Sequence, residues 1–167
     1  MARKIGIGSQ DFEKVRINNN FYIDKTNFIK EWWESGDEVT LITRPRRFGK
    51  TLNMSMLEKF FSVQYADRGD LFEGLSIWQE KFPDGEYEYR KKQGTYPVLF
   101  ISFAGIKENS FVSARENICR TIEEQYNKHD YLSDSGLLND KEKDYYKKVG
   151  AEMSDSVAAV SLRTLSD

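Results

Sequence analysis

The sequence predicts an α/β fold, in which helices cover a sheet of buried strands. Three observations predict it. Residues 39–43, VTLIT, form a compact apolar run of the kind a buried strand needs. The basic, glycine-containing loop RPRRFGKT comes next, and then Leu52, Met56, Leu57, Phe60 and Phe61 recur at helical spacing through about residue 63. A second apolar run, PVLFISF at 97–103, supplies another strand candidate.

Composition bounds the class. The chain has 167 residues, 39% of them hydrophobic and 14% aromatic, enough to build a core. That length suits one domain or a piece of a larger one. With 25 Lys+Arg against 27 Asp+Glu the net charge is -2, which excludes a globally basic coat protein for nucleic acid. Any phosphate binding must come from a local cluster. A single cysteine, Cys119, excludes an internal disulfide framework, and a single histidine, His129, argues against His-based zinc chemistry. No stretch approaches the roughly 20 apolar residues that span a bilayer. The opening MARKIGIGSQDF lacks the apolar run of a secretory leader. A reducing, cytoplasmic setting is the expectation.

The remaining elements follow in order. Residues 15–23, VRI-NNN-FYI, place two β-prone runs around an asparagine triplet that tolerates positive φ, and predict an N-terminal β-hairpin. DKTNFIKEWWESG predicts a short helix with Thr26 as N-cap, Phe28, Ile29, Trp32 and Trp33 on one face, and Gly36 at its end. DRGDLFEGLSIW holds a short helix, and PDGEYEYRKKQG reads as a polar surface excursion. Asn109 or Ser110 caps a helix running to about His129, with Val112, Ile118, Cys119, Ile122 and Tyr126 as its stripe. Residues 140–149 predict a charged helix, and DSVAAVSLRTLSD an amphipathic one capped by Asp155 or Ser156.

Chemistry concentrates at residues 44–51. A phosphate-binding loop needs inward backbone N–H groups, a lysine reaching the terminal phosphates and a Ser/Thr hydroxyl on Mg²⁺. Gly49-Lys50-Thr51 supplies the last three positions of G-x-x-x-x-G-K-[ST], and the following helix offers its positive end to an anion. The first position departs: Arg44 stands where the common pattern has glycine, and Pro45 stiffens the loop. Arg44, Arg46, Arg47 and Lys50 place four positive charges in seven residues with no acid among them. That is a focused anion site, for a triphosphate or a nucleic-acid backbone, or else a solvated basic turn.

TRPRRFGKTL, preceded by FYIDKTNFIKEWW and followed by MLEKFF, closely resembles the bacterial AAA-ATPase-like family, many members of which carry a PD-(D/E)XK nuclease-like region downstream. The family's loop itself reads R-P-R-R-F-G-K-[ST], so Arg44 is its own variant. Its Y-x-D-K-T segment matches Tyr22, Asp24, Lys25 and Thr26, and its later strand matches Pro97, Val98, Ser102 and Phe103; the resemblance spans about residues 5–125. The resemblance implies a P-loop NTPase-like three-layer sandwich of the ASCE/AAA type, with ATP and Mg²⁺ as ligands. Lys50 would be the catalytic lysine on the β/γ-phosphates, and Thr51 the Mg²⁺ ligand. Gly49 and the backbone from Phe48 to Leu52 would cradle phosphate, and Arg46 or Arg47 would add charge. Asp24 and Lys25 would border the base or sugar, or else form a structural salt bridge or helix cap.

Hydrolysis in this class also needs an acid at a strand end. VLFISF ends in Ser102-Phe103, and in the resembling family the acidic strand follows helices like those at 140–166. The expectation is therefore that residues 1–167 are the N-terminal portion of one such domain. The Walker B strand and any nuclease-like domain would be absent, and the sandwich incomplete. Such a chain would bind nucleotide without competent hydrolysis, and any nucleic-acid partner would be met through a downstream region. The alternatives are a nucleic-acid-binding module built on Arg44, Arg46 and Arg47, or a non-catalytic interaction domain. Cys119, on an apolar stripe, reads as buried packing, and His129 as a helix C-terminal residue meeting the dipole.

Overall fold

A computed structural model of the chain describes residues 4–6 and 8–167; the first three residues and Ile7, within the segment read above as lacking a leader, lie outside that set. The chain divides into two compact units, one up to Val98 and one from Leu99 onward. The division falls inside the predicted strand 97–103.

In the first unit, α1 (Phe12–Ile17) starts at Asp11, whose carboxylate accepts from the amides of Glu13 and Lys14. Helix α2 (Asn27–Ser35) ends at Gly36, which takes the left-handed conformation (φ 64°) that a helix C-terminus favours. Helix α3 (Lys50–Phe61) follows the loop and carries Met56, Phe60 and Phe61 into the interior. Two 3-10 turns (Val63–Tyr65 and Gly69–Phe72) and two short helices, α4 (Ser76–Gln79) and α5 (Glu88–Lys92), complete the unit. The core is aromatic. Phe12 stacks on Phe72 with ring centroids 5.1 Å apart, Phe60 meets Phe72 edge-on at 5.0 Å, and Trp33 stacks on Phe61 at 5.7 Å. Off-stack and edge-on pairs of this kind add directional attraction to area burial. The amide of Phe12 donates to Ser55 Oγ at 3.1 Å, pinning the start of α1 to α3.

The second unit is helical throughout its named elements. Helix α6 (Phe111–Lys128) is capped by Ser110, which accepts from the Ser113 amide; α7 (Tyr131–Asp134) is one turn. Helix α8 (Asp140–Tyr146) opens with a reciprocal capping box between Asn139 and Glu142. Helix α9 (Asp155–Ser166) is capped by Ser154, one residue before the predicted position. Cys119, Ile122, Tyr126 and Met153 form the core, and the Tyr126 hydroxyl donates to the Ser161 carbonyl at 2.8 Å, joining α6 to α9. Val112, predicted on the stripe, is 73% exposed. His129 is buried at the C-cap of α6, its Nδ1 within 2.8 Å of the Gln125 carbonyl.

The α/β sandwich and the hairpin are overturned. Among the described residues there is no strand; the β-pairing is an isolated parallel bridge between Ser62 and Tyr96. The hairpin fails because VRI is the last turn of α1. Phe12 and Val15, three apart, share its buried face, and the Asp11 cap starts the helix upstream of the residues read as β-prone. The asparagine triplet does reach positive φ, at Asn19 (48°), but there it ends a helix. The run 39–43 makes no backbone hydrogen bond among the described residues, and Val39 and Leu41 are 87% and 82% exposed. An apolar run becomes a strand only where a neighbour pairs its amides and carbonyls. Among the described residues the run 97–103 gains no strand neighbour either, and the segment just before it is held by α3. The amides of Gly94 and Tyr96 donate to the Phe60 and Phe61 carbonyls, and the Val63 amide to the Tyr96 carbonyl, each at 2.8 Å. The last carbonyls of α3, which lack partners within the helix, accept the amides of Gly94 and Tyr96. The supposed surface excursion also differs: it contains α5, whose Tyr89 is 1% exposed, packs on Phe82 and donates its hydroxyl to Glu34 at 2.7 Å.

Candidate functional site

The basic loop lies between the unpaired run 39–43 and α3, so the helix half of the predicted strand–loop–helix arrangement is present and the strand half is not. Two residues of the loop take left-handed backbone, Arg47 (φ 71°) and Gly49 (φ 78°), on either side of Phe48. Glycine adopts this conformation freely; arginine does so at a steric cost. Gly49 is the N-cap of α3, and no side chain caps that end. The amides of the first turn are thereby left without an acceptor from the protein, and the helix dipole adds partial positive charge at the same point.

Lys50 folds back over the loop. Its Nζ donates to the Arg44 carbonyl and, at 3.0 Å, to the Pro45 carbonyl. An ammonium has three donors, so one remains for an anion. Thr51 is exposed in the first turn of α3.

Two clefts flank the loop, both wholly within the first unit. One, of about 600 Å³, is lined by Lys25, Phe28, residues 40–44, Phe48, Lys50 and Asn53. The other, of about 420 Å³, is more apolar; Ile5, Phe21, Tyr22, Arg47, Phe48, Gly49 and Leu52 are among its walls. Phe48, 59% exposed, belongs to both. The structure thus separates the two arginines that sequence could not: Arg47 lines the second cleft and Arg46 lines neither. Thr51 also lines neither. Among the described residues no Asp or Glu lines either cleft. Among the described residues no cluster of three His, Cys, Asp or Glu side chains is placed to hold a metal ion.

Asp24 is drawn elsewhere. Its Oδ1 accepts from the Thr26 amide at 2.9 Å and hydroxyl at 2.7 Å, and its Oδ2 from the Ser76 amide and hydroxyl, both at 2.7 Å. Thr26 Oγ1 in turn accepts from the Ile77 amide at 3.2 Å, and Thr26 is fully buried. The carboxylate therefore ties the start of α2 to the start of α4. Burial pushes the Asp24 carboxyl up, but the hydrogen bonds from Thr26 and Ser76 outweigh it and hold the group below its ordinary value. The residue brought to the loop instead is Lys25, whose Nζ lies 3.9 Å from the position a Cβ on Gly49 would take. Tyr22, beside it, donates to Met56 Sδ and accepts from the Lys25 amide, each at 3.4 Å. Burial pushes the Tyr22 phenol up to about 12, so it adds no negative charge near neutral pH.

Comparison with known proteins identifies a family. The profile of the family described as Predicted AAA-ATPase matches residues 6–163. A protein of Azotobacter chroococcum mcd 1, described as an uncharacterized protein in the vnfD 5' region, is 36% identical over 104 residues. That alignment covers 62% of this chain and 17% of the relative, so the chain spans less than a fifth of the length of the curated relative it matches. No solved structure matches. No helix among the described residues is long and apolar enough to cross a membrane.

Proposed function

Because the chain belongs to the AAA-ATPase-like family, we propose that residues 44–52 bind a nucleoside triphosphate, ATP in the first instance, with Mg²⁺. The observation that carries this reading is the uncapped, glycine-led start of α3, with Lys50 folded over the same loop. Free amides, a helix dipole and a lysine converging on one turn form a site for an anion of several charges. The donor set fits a phosphate chain: Gly49 and the amides of the first turn would cradle it, Lys50 would hold its terminal groups, and Arg47 would add charge from the second cleft. For Mg²⁺ the chain offers the Thr51 hydroxyl, and the remaining ligands would be phosphate oxygens and water, as that ion commonly accepts. Bound there, Mg²⁺ would neutralise phosphate charge.

The role proposed for these residues is binding. In the whole protein, ATP binding or turnover would be coupled to a partner or to a further region. Calorimetric titration with ATP, with and without Mg²⁺, tests the proposal. Saturable binding that strengthens with Mg²⁺, and loses that gain in Thr51→Ala, is expected. Absence of binding at millimolar ATP would overturn it.

One observation favours a second reading. Arg46 is exposed and lines neither cleft, as expected of a side chain that meets a nucleic-acid backbone. That reading predicts salt-steep binding of DNA or RNA that survives Lys50→Ala and is lost when Arg44, Arg46 and Arg47 become Ala.

A further inference from the structure

Five cations gather at the loop: Lys25, Arg44, Arg46, Arg47 and Lys50. Among the described residues none of them is in an ion pair, although nine ion pairs occur elsewhere in the chain. Like charges held together without a counter-charge repel one another, and a polyvalent anion relieves that repulsion.

Lys25 differs from the other four. It lies outside the phosphate-loop motif, two residues before the start of α2, and the fold returns it to Gly49. Its side chain makes no hydrogen bond among the described residues and lines both clefts. Its backbone, in contrast, is fixed on every side. Its amide donates to the Tyr22 hydroxyl, while Asp24 before it and Thr26 after it are locked to Ser76 and Ile77. The neighbouring carboxylate accepts four hydrogen bonds of its own, so it does not fold onto the lysine. A fixed backbone that carries an unpartnered ammonium to the loop leaves that charge available to an anion.

We propose that Lys25 is a second phosphate-contacting lysine, which holds the polyphosphate chain of the bound nucleotide together with Lys50 across Gly49. The inference rests on the nucleotide reading above and adds the residue that sets preference for di- and triphosphates over a monophosphate. The contact is to phosphate, so it is present with inorganic tripolyphosphate, which has neither base nor sugar.

The test measures tripolyphosphate, ATP and AMP binding by calorimetry for the unmodified chain and for Lys25→Ala, Lys25→Arg and Lys50→Ala. Charge-assisted contacts to phosphate are strong and directional. We expect Lys25→Ala to weaken tripolyphosphate and ATP about tenfold, with a much smaller effect on AMP, and Lys25→Arg to recover most of the loss. Unliganded thermal stability should not fall in Lys25→Ala, since the side chain makes no hydrogen bond or ion pair among the described residues and its removal relieves like-charge repulsion. If the unmodified chain binds and Lys50→Ala does not, but Lys25→Ala binds tripolyphosphate normally, the inference is overturned and the nucleotide reading stands. If Lys25→Ala weakens ATP and AMP equally and spares tripolyphosphate, Lys25 reads base or sugar and the inference is again overturned. If the unmodified chain binds none of the three, both fall.

Discussion

The carboxylate of Asp24 accepts two hydrogen bonds from Ser76, from its amide and its hydroxyl, each at 2.7 Å across 52 residues of chain. With the two bonds from Thr26 it fixes the entry of α2 against α4, and so sets the base from which Lys25 reaches the loop.

Asp24→Asn should therefore destabilise the first unit. The loss should be on the order of 1–2 kcal/mol, toward the low end for hydrogen bonds to a charged group because the carboxylate is exposed to solvent. The folded group is held below its ordinary value. Its contribution is thus fully present above the unfolded pKa, about 3.9, and is lost as pH falls through the folded value. Urea midpoints across pH check this. The gap between the two proteins should be widest near neutral pH and narrow below about pH 4.

Gly94 predicts a second, larger effect. Its φ is 68°, and a Cβ there would lie 2.3 Å from the Ala66 Cα, a backbone atom that cannot swing aside. Gly94→Ala should cost on the order of 3 kcal/mol by combining backbone strain with overpacking. It should also weaken the hydrogen bond from the Gly94 amide to the Phe60 carbonyl. Thermal denaturation of the two proteins measures it.

Arg47 is strained in the opposite sense: it is an arginine where the backbone suits glycine, at φ 71°. Replacing it with glycine should raise unliganded stability by a few tenths to about 1 kcal/mol, since the relieved strain slightly exceeds the added unfolded-state entropy. The same variant should bind ATP more weakly, because it loses a cleft-lining cation. Arg47→Ala should weaken binding equally with no gain in stability. Paired melting and titration of the two variants separates strain from charge.

Legibility differed by element, and the reason is physical. Helices were readable because their signals are local. The spacing of Met56, Phe60 and Phe61, the glycine at position 36 and the serine at position 110 each act within one or two turns. Strands were not, because a strand is a relation between distant segments. Nothing within VTLIT or PVLFISF states whether a neighbour will pair with it, and neither run finds one among the described residues. The hairpin misled because VRI has β propensity, whereas Asp11 and Phe12, just outside it, decide for helix. At the candidate site, the spacing of Gly49, Lys50 and Thr51 placed a loop directly before a helix, and α3 begins there at Lys50. For Asp24 the sequence left open a place at the base or sugar and a structural role, and the structure shows the structural one, through a bond to Ser76 that no local pattern announces. The signal that could have favoured it is the adjacency of an Asx-type carboxylate to Thr26, a pattern that commonly bonds its own backbone.

The central claim is that Lys50 and the loop before it hold a nucleoside triphosphate. The most direct measurement is the melting temperature of the unmodified chain and of Lys50→Ala with increasing Mg-ATP. Ligand at one hundred times its dissociation constant stabilises the folded state by about 2.7 kcal/mol, so the unmodified chain should melt several degrees higher. Lys50→Ala, folded by circular dichroism, should show no such rise. An equal rise in both proteins, or none in the unmodified chain, would contradict the account.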